Sequence, residues 1–546
     1  MRAFRQCPNL QSAIKGGELA DYDFLIVGAG SAGSVLADRL SESGKHSVCL
    51  LEAGAGGNHI FLKVPAGWAA TFHNPKFDWG YSTEPEPELN NRQIYWPRGY
   101  GLGGSSGING MIYIRGHALD FDLWAQAGAQ GWSYEEVLPY FIKAEKNQRL
   151  GDEFHGTDGP LHVQDVRDGR SIHDAFLDGA EQSGLPKNPD FNGADQTGVG
   201  YYQFTQHNGS RWSTAAAYLD RAKGRNNLTI EIHALATKII FQGNKATGVR
   251  ISQKGKQREI SAQHVVLCGG AINTPQLLEL SGVGDEALLK SHGIDVVHHL
   301  PDVGEHVQDH LLSRLVYGTY PETSINRDVQ GWRLGLAAMN WFFRRQGPLT
   351  TGSAPVGGFA HTMEGLQAPD VQFFFASGAT LYNAQGRIKA MGVPAITGAL
   401  DQSRPESRGT IHIKSTDPTV HPEIHANYLS TELDRITMVK GTRIMAKVFE
   451  SEAMQPFITE RMTPAPDFDL NDDEALLAHI RDDATTSYHP TSSCAIGKVV
   501  DPKLRIYGLE GISVADASVM PAVVSGNTNA ACIMIGEKAA DLLLQG

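Results

Sequence analysis

Three glycines, Gly28, Gly30 and Gly33, and one acid, Glu52, are the residues of this chain whose types and spacing point most directly to chemistry. They lie in a run reading Phe24-Leu25-Ile26-Val27-Gly28-Ala29-Gly30-Ser31-Ala32-Gly33, followed by a second apolar run, Val48-Cys49-Leu50-Leu51, that delivers Glu52. The pattern reads strand, glycine turn, helix, strand, acid. Gly28 permits a tight turn at the end of the first strand, Gly30 lets backbone N–H groups approach a pyrophosphate, and Gly33 lets the next helix, expected over 34–43, pack on the strand. Phosphate charge then meets unpaired amides and the positive end of a helix dipole. Glu52 follows Gly33 by 19 residues, a position from which a carboxylate accepts hydrogen bonds from ribose hydroxyls and repels a 2′-phosphate. The chemistry specified is dinucleotide binding, with NADP disfavoured.

A second glycine cluster runs from Gly99 to Gly110, and backbone so free of side chains suits close approach to a flat or charged ligand. Between the two clusters lies a Gly-, Pro- and aromatic-rich stretch, 55–104, too long for a simple loop and expected to wrap a bound group or cover a site. Two later apolar runs, His264–Gly270 and Gly511–Asp516, read as further strands of the same nucleotide-binding sheet, which makes that domain discontinuous. From 312 to 483, runs such as Val371–Phe375 and Gly409–Lys414 suggest antiparallel strands with one face toward a helix layer.

Composition frames these elements. At 546 residues, 41% apolar and 20% charged, the chain is long enough for more than one core. A formal charge of −13 argues against nucleic acid and an anionic membrane as partners, with no Lys/Arg run to reverse it locally. Five scattered cysteines, Cys7, Cys49, Cys268, Cys494 and Cys532, form no CxxC pair, so neither a disulfide framework nor a metal site is expected and a reducing, cytoplasmic location fits. The first residues lack the apolar core of a secretory signal, and no apolar stretch is long enough to span a bilayer.

Four segments together resemble the glucose-methanol-choline (GMC) family of flavin oxidoreductases over residues 22–544: Gly28–Gly33 with Glu52, Gly101 through Asn109, Gly270 through Gly284, and Tyr488 through Glu537. The resemblance implies an α/β fold in which a Rossmann-like FAD-binding domain carries an inserted substrate domain, built on an antiparallel sheet covered by helices. The implied boundaries are 21–311 for most of the FAD-binding part, 312–483 for most of the substrate part, and 484–546 for a return to the FAD domain. By position, Ser31, Glu52 and Ala53 would hold the ADP half of FAD, with Gly28, Gly30, Ala32 and Gly33 as further cofactor-binding positions, while Gly104, Asn109, Gly110 and Met111 would face the flavin. Ala236 would pair with adenine through its backbone, Asp516 and Ala517 would meet the ribityl and pyrophosphate groups, and Asn529 and Ala530 the pyrimidine side of the ring. Some members tether FAD through a histidine shortly after the serines of the glycine cluster; that place is held here by Ile108, so FAD is expected to be non-covalent. Tyr100 stands where Lys or Arg is more usual.

The resemblance also assigns the reaction: oxidation of a primary alcohol, with His489 and Asn527 as the family's catalytic pair. An imidazole near its ordinary pKa accepts a hydroxyl proton while neutral, and a carboxamide, which cannot be the base, donates a hydrogen bond to the developing alkoxide. Alternatives on the same scaffold are a lyase or photodecarboxylase, or a flavin-binding protein without catalysis. Choline as substrate would need an aromatic cage or a carboxylate, for which Trp68, Phe72, Trp79 and Trp332 are the available rings. The electron acceptor, oxygen, a quinone or another, is left open.

Overall fold

The structure, a computed structural model, describes residues 20–382 and 388–545; the N-terminal extension and Cys7 lie outside the described residues. In chain order the elements that build the site are β1 (Tyr22–Val27), α1 (Ser31–Ser41), β2 (Val48–Leu51), α2 (Ser171–Gln182), β3 (Gly198–Tyr201), β4 (Leu228–Glu231), β5 (Ala234–Gln242), β6 (Lys245–Gln253), β7 (Lys256–Leu267), α3 (Gly270–Leu280), β8 (Leu311–Thr319), α4 (Gly331–Arg344), β9 (Val356–Ala360), β10 (Val371–Ala376), β11 (Ala395–Gln402), α5 (Glu432–Glu450), β12 (Ile458–Thr463), β13 (Thr485–Thr486), β14 (Ile512–Val514) and α6 (Asn529–Gln545). The helix expected over 34–43 starts three residues earlier, at Ser31, because Gly30 in extended conformation serves as its N-cap.

The first sheet has seven strands in the order β4-β2-β1-β7-β6-β5, with β14 on β7. Its centre is parallel: β1 pairs with β2 and β7, and β7 with β14. These strands are apolar on both faces, as a sheet covered by helices on both sides requires, and Leu25, Ile26, Val265 and Val266 are fully buried. β7 is long enough to serve two partners, its first half running antiparallel to β6 and its second half parallel to β1. The two late runs in the sequence thus return to one sheet. Helices α1 and α6 pack side by side against it, joined by a bidentate pair from Arg39 to the buried Glu537 at 2.8 and 2.9 Å. Tyr218 also donates to Glu537, at 2.9 Å.

The second sheet also has seven strands, β12-β8-β11-β10-β9-β3 with β13 on β8, all antiparallel. β3, from the first half of the sequence, completes its edge, whereas the run 409–414 forms a separate two-stranded ribbon with Glu423–His425. Alternation decides its faces. Phe373 and Phe375 of β10 point into a core with Phe176 of α2 and Met445 and Phe449 of α5, while Phe374 and Ala376 point to the opposite side, into the cleft between the sheets. Ring stacking reinforces that core, with Phe176 and Phe375 centroids 4.4 Å apart.

Candidate active site

A single elongated cleft of about 440 Å³ runs between the two sheets. One end is walled by Glu52 and Ala236, the middle by Gly30, Gly104 and Asn109, and the other wall carries His489 and Asn527 together with cleft-facing side chains of β8, β10 and β11. Of the catalytic and cofactor-binding residues expected above, all line this cleft except Gly33 and Ala530. Gly33 acts one layer behind: a Cβ there would lie 1.9 Å from the carbonyl oxygen of Gly28, so only glycine lets α1 sit this close to the β1 turn. Ala530 opens α6 with its side chain in the core, leaving Asn529 to face the cleft.

The dinucleotide half is made of backbone. Gly28 turns at φ +105°, and the second glycine cluster docks on this turn, Gly103 N–H donating to the Ala29 carbonyl at 2.8 Å. A Cβ on Gly30, by contrast, would meet nothing within 4 Å, because it would project into the cleft directly at the α1 N-terminus, whose amides have no side-chain cap. Glu52 is buried and accepts from the Ala29 N–H at 3.0 Å and the Gly54 N–H at 2.8 Å. Burial raises its pKa while these amides, with those of Gly101 and Ala53, oppose the rise. Asp516 spends its carboxylate on the protein itself, accepting from Gly270 N–H, Thr274 Oγ1 and Ser518, which ties β14 to the start of α3.

At the far wall the sequence supplies an exact neighbourhood only through pairing. β13 pairs with the start of β8, Leu311 opposite Thr486, and so brings 309–310 beside 488–489. His489 N–H donates to Asp309 Oδ1 at 2.6 Å; Asp309 Oδ2 accepts from Thr486 Oγ1 at 2.5 Å and from the Tyr428 hydroxyl. The turn is held with Tyr488 in the left-handed region, φ +68°, its carbonyl accepting from Arg98 at 2.6 Å.

The imidazole of His489 is bonded at both nitrogens. Nδ1 lies 2.9 Å from Nδ1 of the fully buried His310, and Nε2 lies 3.2 Å from Nδ2 of Asn527. His310 Nε2 lies 3.1 Å from the Ser403 carbonyl, which only accepts, so His310 carries its proton on Nε2. Burial pushes the His310 pKa down to about 4, so this ring is neutral with a bare Nδ1. The proton between the two rings therefore belongs to His489 Nδ1, which leaves His489 Nε2 bare toward Asn527. The amide is oriented in turn by Gln372, whose Nε2 donates to Asn527 Oδ1 at 3.2 Å. Burial, then His310 and Arg98, hold the His489 pKa well below its ordinary value. Asp401 lies within 4.8 Å of both rings, but burial, against the hydrogen bond from Ser487, pushes it up to about 8, so it places no full negative charge there at neutral pH.

His310, Asp309, Gln372 and Arg98 are the neighbours that reading the sequence did not single out. The one signal for His310 is register: 310, 312 and 314 share a face at the entry to β8, and Leu312 and Arg314 line the cleft. Trp332 is the corrected candidate. Trp68, Phe72 and Trp79 line the cleft, whereas Trp332 stands on α4 with 72% of its surface exposed and reaches no cage.

A cleft with an uncapped helix N-terminus, a buried acid at the end of the second strand and a neutral imidazole fits FAD, and the protein is an FAD-dependent oxidoreductase of enzyme class EC 1.1. The chain belongs to the GMC oxidoreductase family, whose N-terminal model matches residues 22–312 and whose C-terminal model matches 405–536. It is 42% identical over 533 residues to an alcohol dehydrogenase (acceptor) of Pseudomonas putida, with 96% of each chain covered. It is 41% identical over 538 residues to an oxygen-dependent choline dehydrogenase of Serratia proteamaculans, again covering 96% of each. Among solved structures, pyridoxine 4-oxidase from Mesorbium loti superposes with a TM-score of 0.87 at 27% identity, over 96% of this chain and 99% of that one.

Proposed function

We propose that the enzyme oxidises a neutral primary alcohol to the aldehyde, with His489 as base and Asn527 as donor to the alkoxide. The observation that carries this reading is the bare Nε2 of a neutral His489 beside the Asn527 amide. Bound FAD supplies the hydride acceptor, at flavin N5. His489 Nε2 takes the hydroxyl proton; Asn527 Nδ2, held by Gln372, turns to the oxygen that carries the growing charge, because an alkoxide releases hydride where an alcohol does not. Asn529, Ser31, Glu52 and Ala236 would hold the dinucleotide, and Asn109, kept in place by Arg211 at 2.7 Å, would contribute to the flavin's site.

A neutral substrate is favoured over choline by charge. Among the described residues lining the cleft the carboxylates are Glu52 and Asp516, both in the dinucleotide half, and the substrate-side wall carries Arg314, paired to Asp483 at 2.9 and 3.0 Å. Trp68, Phe72, Phe374 and Leu312 give that wall apolar surface beside the hydroxyls of Thr380 and Thr397. The test is flavin absorbance without oxygen across a panel of aliphatic and aryl alcohols and choline, followed by admission of oxygen. Fast bleaching by a neutral alcohol is expected; bleaching by choline at least as fast, or by no alcohol, overturns the reading. The second half of the experiment separates oxidase from dehydrogenase.

His310 is proposed as a positioning residue that keeps the His489 proton on Nδ1. His310→Phe removes the acceptor and is expected to lower kcat about tenfold or more with FAD retained, whereas His310→Gln, whose carbonyl can accept, recovers most of it. Equal activity in the two variants sinks the relay. Because the base works deprotonated and its pKa lies below the ordinary value, kcat/KM is expected to stay level as pH falls through 6.5 and to decline only below it. An acid limb centred above pH 6.5 contradicts this assignment.

FAD is held without a covalent bond on this proposal. Ile108 is buried against the cleft where some relatives have a tethering histidine, and His489 is the only histidine among the described lining residues. Acid precipitation is expected to leave a colourless pellet and a yellow supernatant.

A further inference from the structure

Helix α4 is built inside out. Ala337 and Trp341 anchor it, packing with Leu349, Val64 and Ala66, and Trp341 Nε1 donates to the Gly209 carbonyl at 2.8 Å. At 100° per residue, Trp332, Leu336, Ala338, Met339, Phe342 and Phe343 fall on the opposite side within an arc of about 160°, with only Gly331 and Gly335 between them. All are exposed, Trp332 at 72%, Phe342 at 63% and Phe343 at 77%. A surface helix ordinarily turns such a face inward.

Charge marks what this face meets. From 329 to 363 the sequence holds three arginines, Arg333, Arg344 and Arg345, and no carboxylate, a local positive excess that the net charge of −13 conceals, although Arg333 also lies 3.8 Å from Asp328 just outside this stretch. Arg333 and Arg344 fall on one flank of the apolar arc, and Arg345, at the helix end, stacks over Trp341 at 4.1 Å. Aromatic and aliphatic side chains along an arc flanked by arginines are the composition of a helix lying in a lipid interface, where rings enter the acyl boundary and guanidinium groups meet anionic headgroups. A second copy suits the face less well: two convex ridges touch along a line, and an antiparallel isologous pairing sets arginine flank toward arginine flank.

We infer that α4 docks the enzyme peripherally on an anionic lipid bilayer. No helix among the described residues is long and apolar enough to cross a membrane, so the contact is interfacial. The chain leaves α4 directly for Ser353 and Ala354 in the cleft wall, and Val64 and Ala66 beneath the helix precede Trp68 and Phe72 in the same wall, so the bilayer abuts the segments that enclose the substrate.

The experiment is flotation of the FAD-loaded full chain with vesicles of phosphatidylcholine alone or mixed with phosphatidylglycerol, with light scattering in their absence. Co-flotation with the mixed vesicles, weakened by salt, is expected. The double variant Phe342→Asp with Phe343→Asp is expected to lose at least tenfold in bound fraction while keeping its flavin and its bleaching by a water-soluble alcohol. Arg333→Gln with Arg344→Gln should lose the preference for phosphatidylglycerol. The inference is overturned by a wild-type chain that does not float, by a Phe342→Asp/Phe343→Asp protein that floats equally well, or by that variant converting a vesicle-free dimer to monomer.

Discussion

His489→Ala is expected to bind FAD as the parent does and to lose at least a hundredfold in kcat, within the range that removal of a general base costs. The expectation of intact FAD follows from geometry: on the proposed reading the dinucleotide would be held by the β1 turn, the α1 N-terminus and Glu52, none of which depends on the imidazole. The loss in kcat follows from the network, because Asn527 has donors but no site that takes a proton at neutral pH, and His310 presents its one bare nitrogen to His489 and not to the cleft. Asp401 is the remaining buried group near the two rings, and its side chain is bonded to Ser487. Stopped-flow reduction of the flavin by saturating alcohol, with flavin content read from the same sample, checks both halves. A variant that reduces its flavin at near the parental rate removes His489 from the chemistry.

Gly33→Ala is expected to cost the protein its flavin altogether. The new Cβ would fall 1.9 Å from the Gly28 carbonyl oxygen and 3.2 Å from Cys268 Cβ, and the first of these is backbone with no rotamer to move. Helix α1 must then lift from the β1 turn, which displaces the amides proposed to meet the pyrophosphate and strains the packing of α1 on α6, a penalty of about 1–3 kcal/mol or more for overpacking. Gly30→Ala separates the two consequences. Its Cβ would meet no protein atom within 4 Å, so folding is untouched, yet it would occupy the space the phosphates need. The expected pattern is a lowered Tm and no visible flavin for Gly33→Ala, against a parental Tm and weakened FAD binding for Gly30→Ala. Parental flavin content and Tm in Gly33→Ala would show that α1 has room this geometry denies it.

The dinucleotide half was legible because its signals are local. A strand of apolar residues, a turn that needs positive φ at Gly28, a helix and an acid arrive within one stretch, and each constrains the next through backbone sterics alone. The far wall was legible only in part. His489 and Asn527 were reached through resemblance, but a histidine before a proline has no pattern of its own, and His310 and Gln372 were hidden in strands whose alternation says only which side a residue faces. Trp332 shows the opposite failure: an aromatic residue looks alike in sequence whether it lines a pocket or stands on the surface.

By itself, the sequence determined the strand–turn–helix of Gly28 with Glu52 at the end of the next strand, and that an antiparallel layer follows the parallel one, since glycine spacing and hydrophobic period are properties of neighbouring residues. Tertiary structure alone decided which nitrogen of His489 carries the proton. That depends on Ser403, His310, Gln372 and Asn527 meeting across the cleft, and hydrogen bonds between strands far apart in the chain are set by register, not by local pattern.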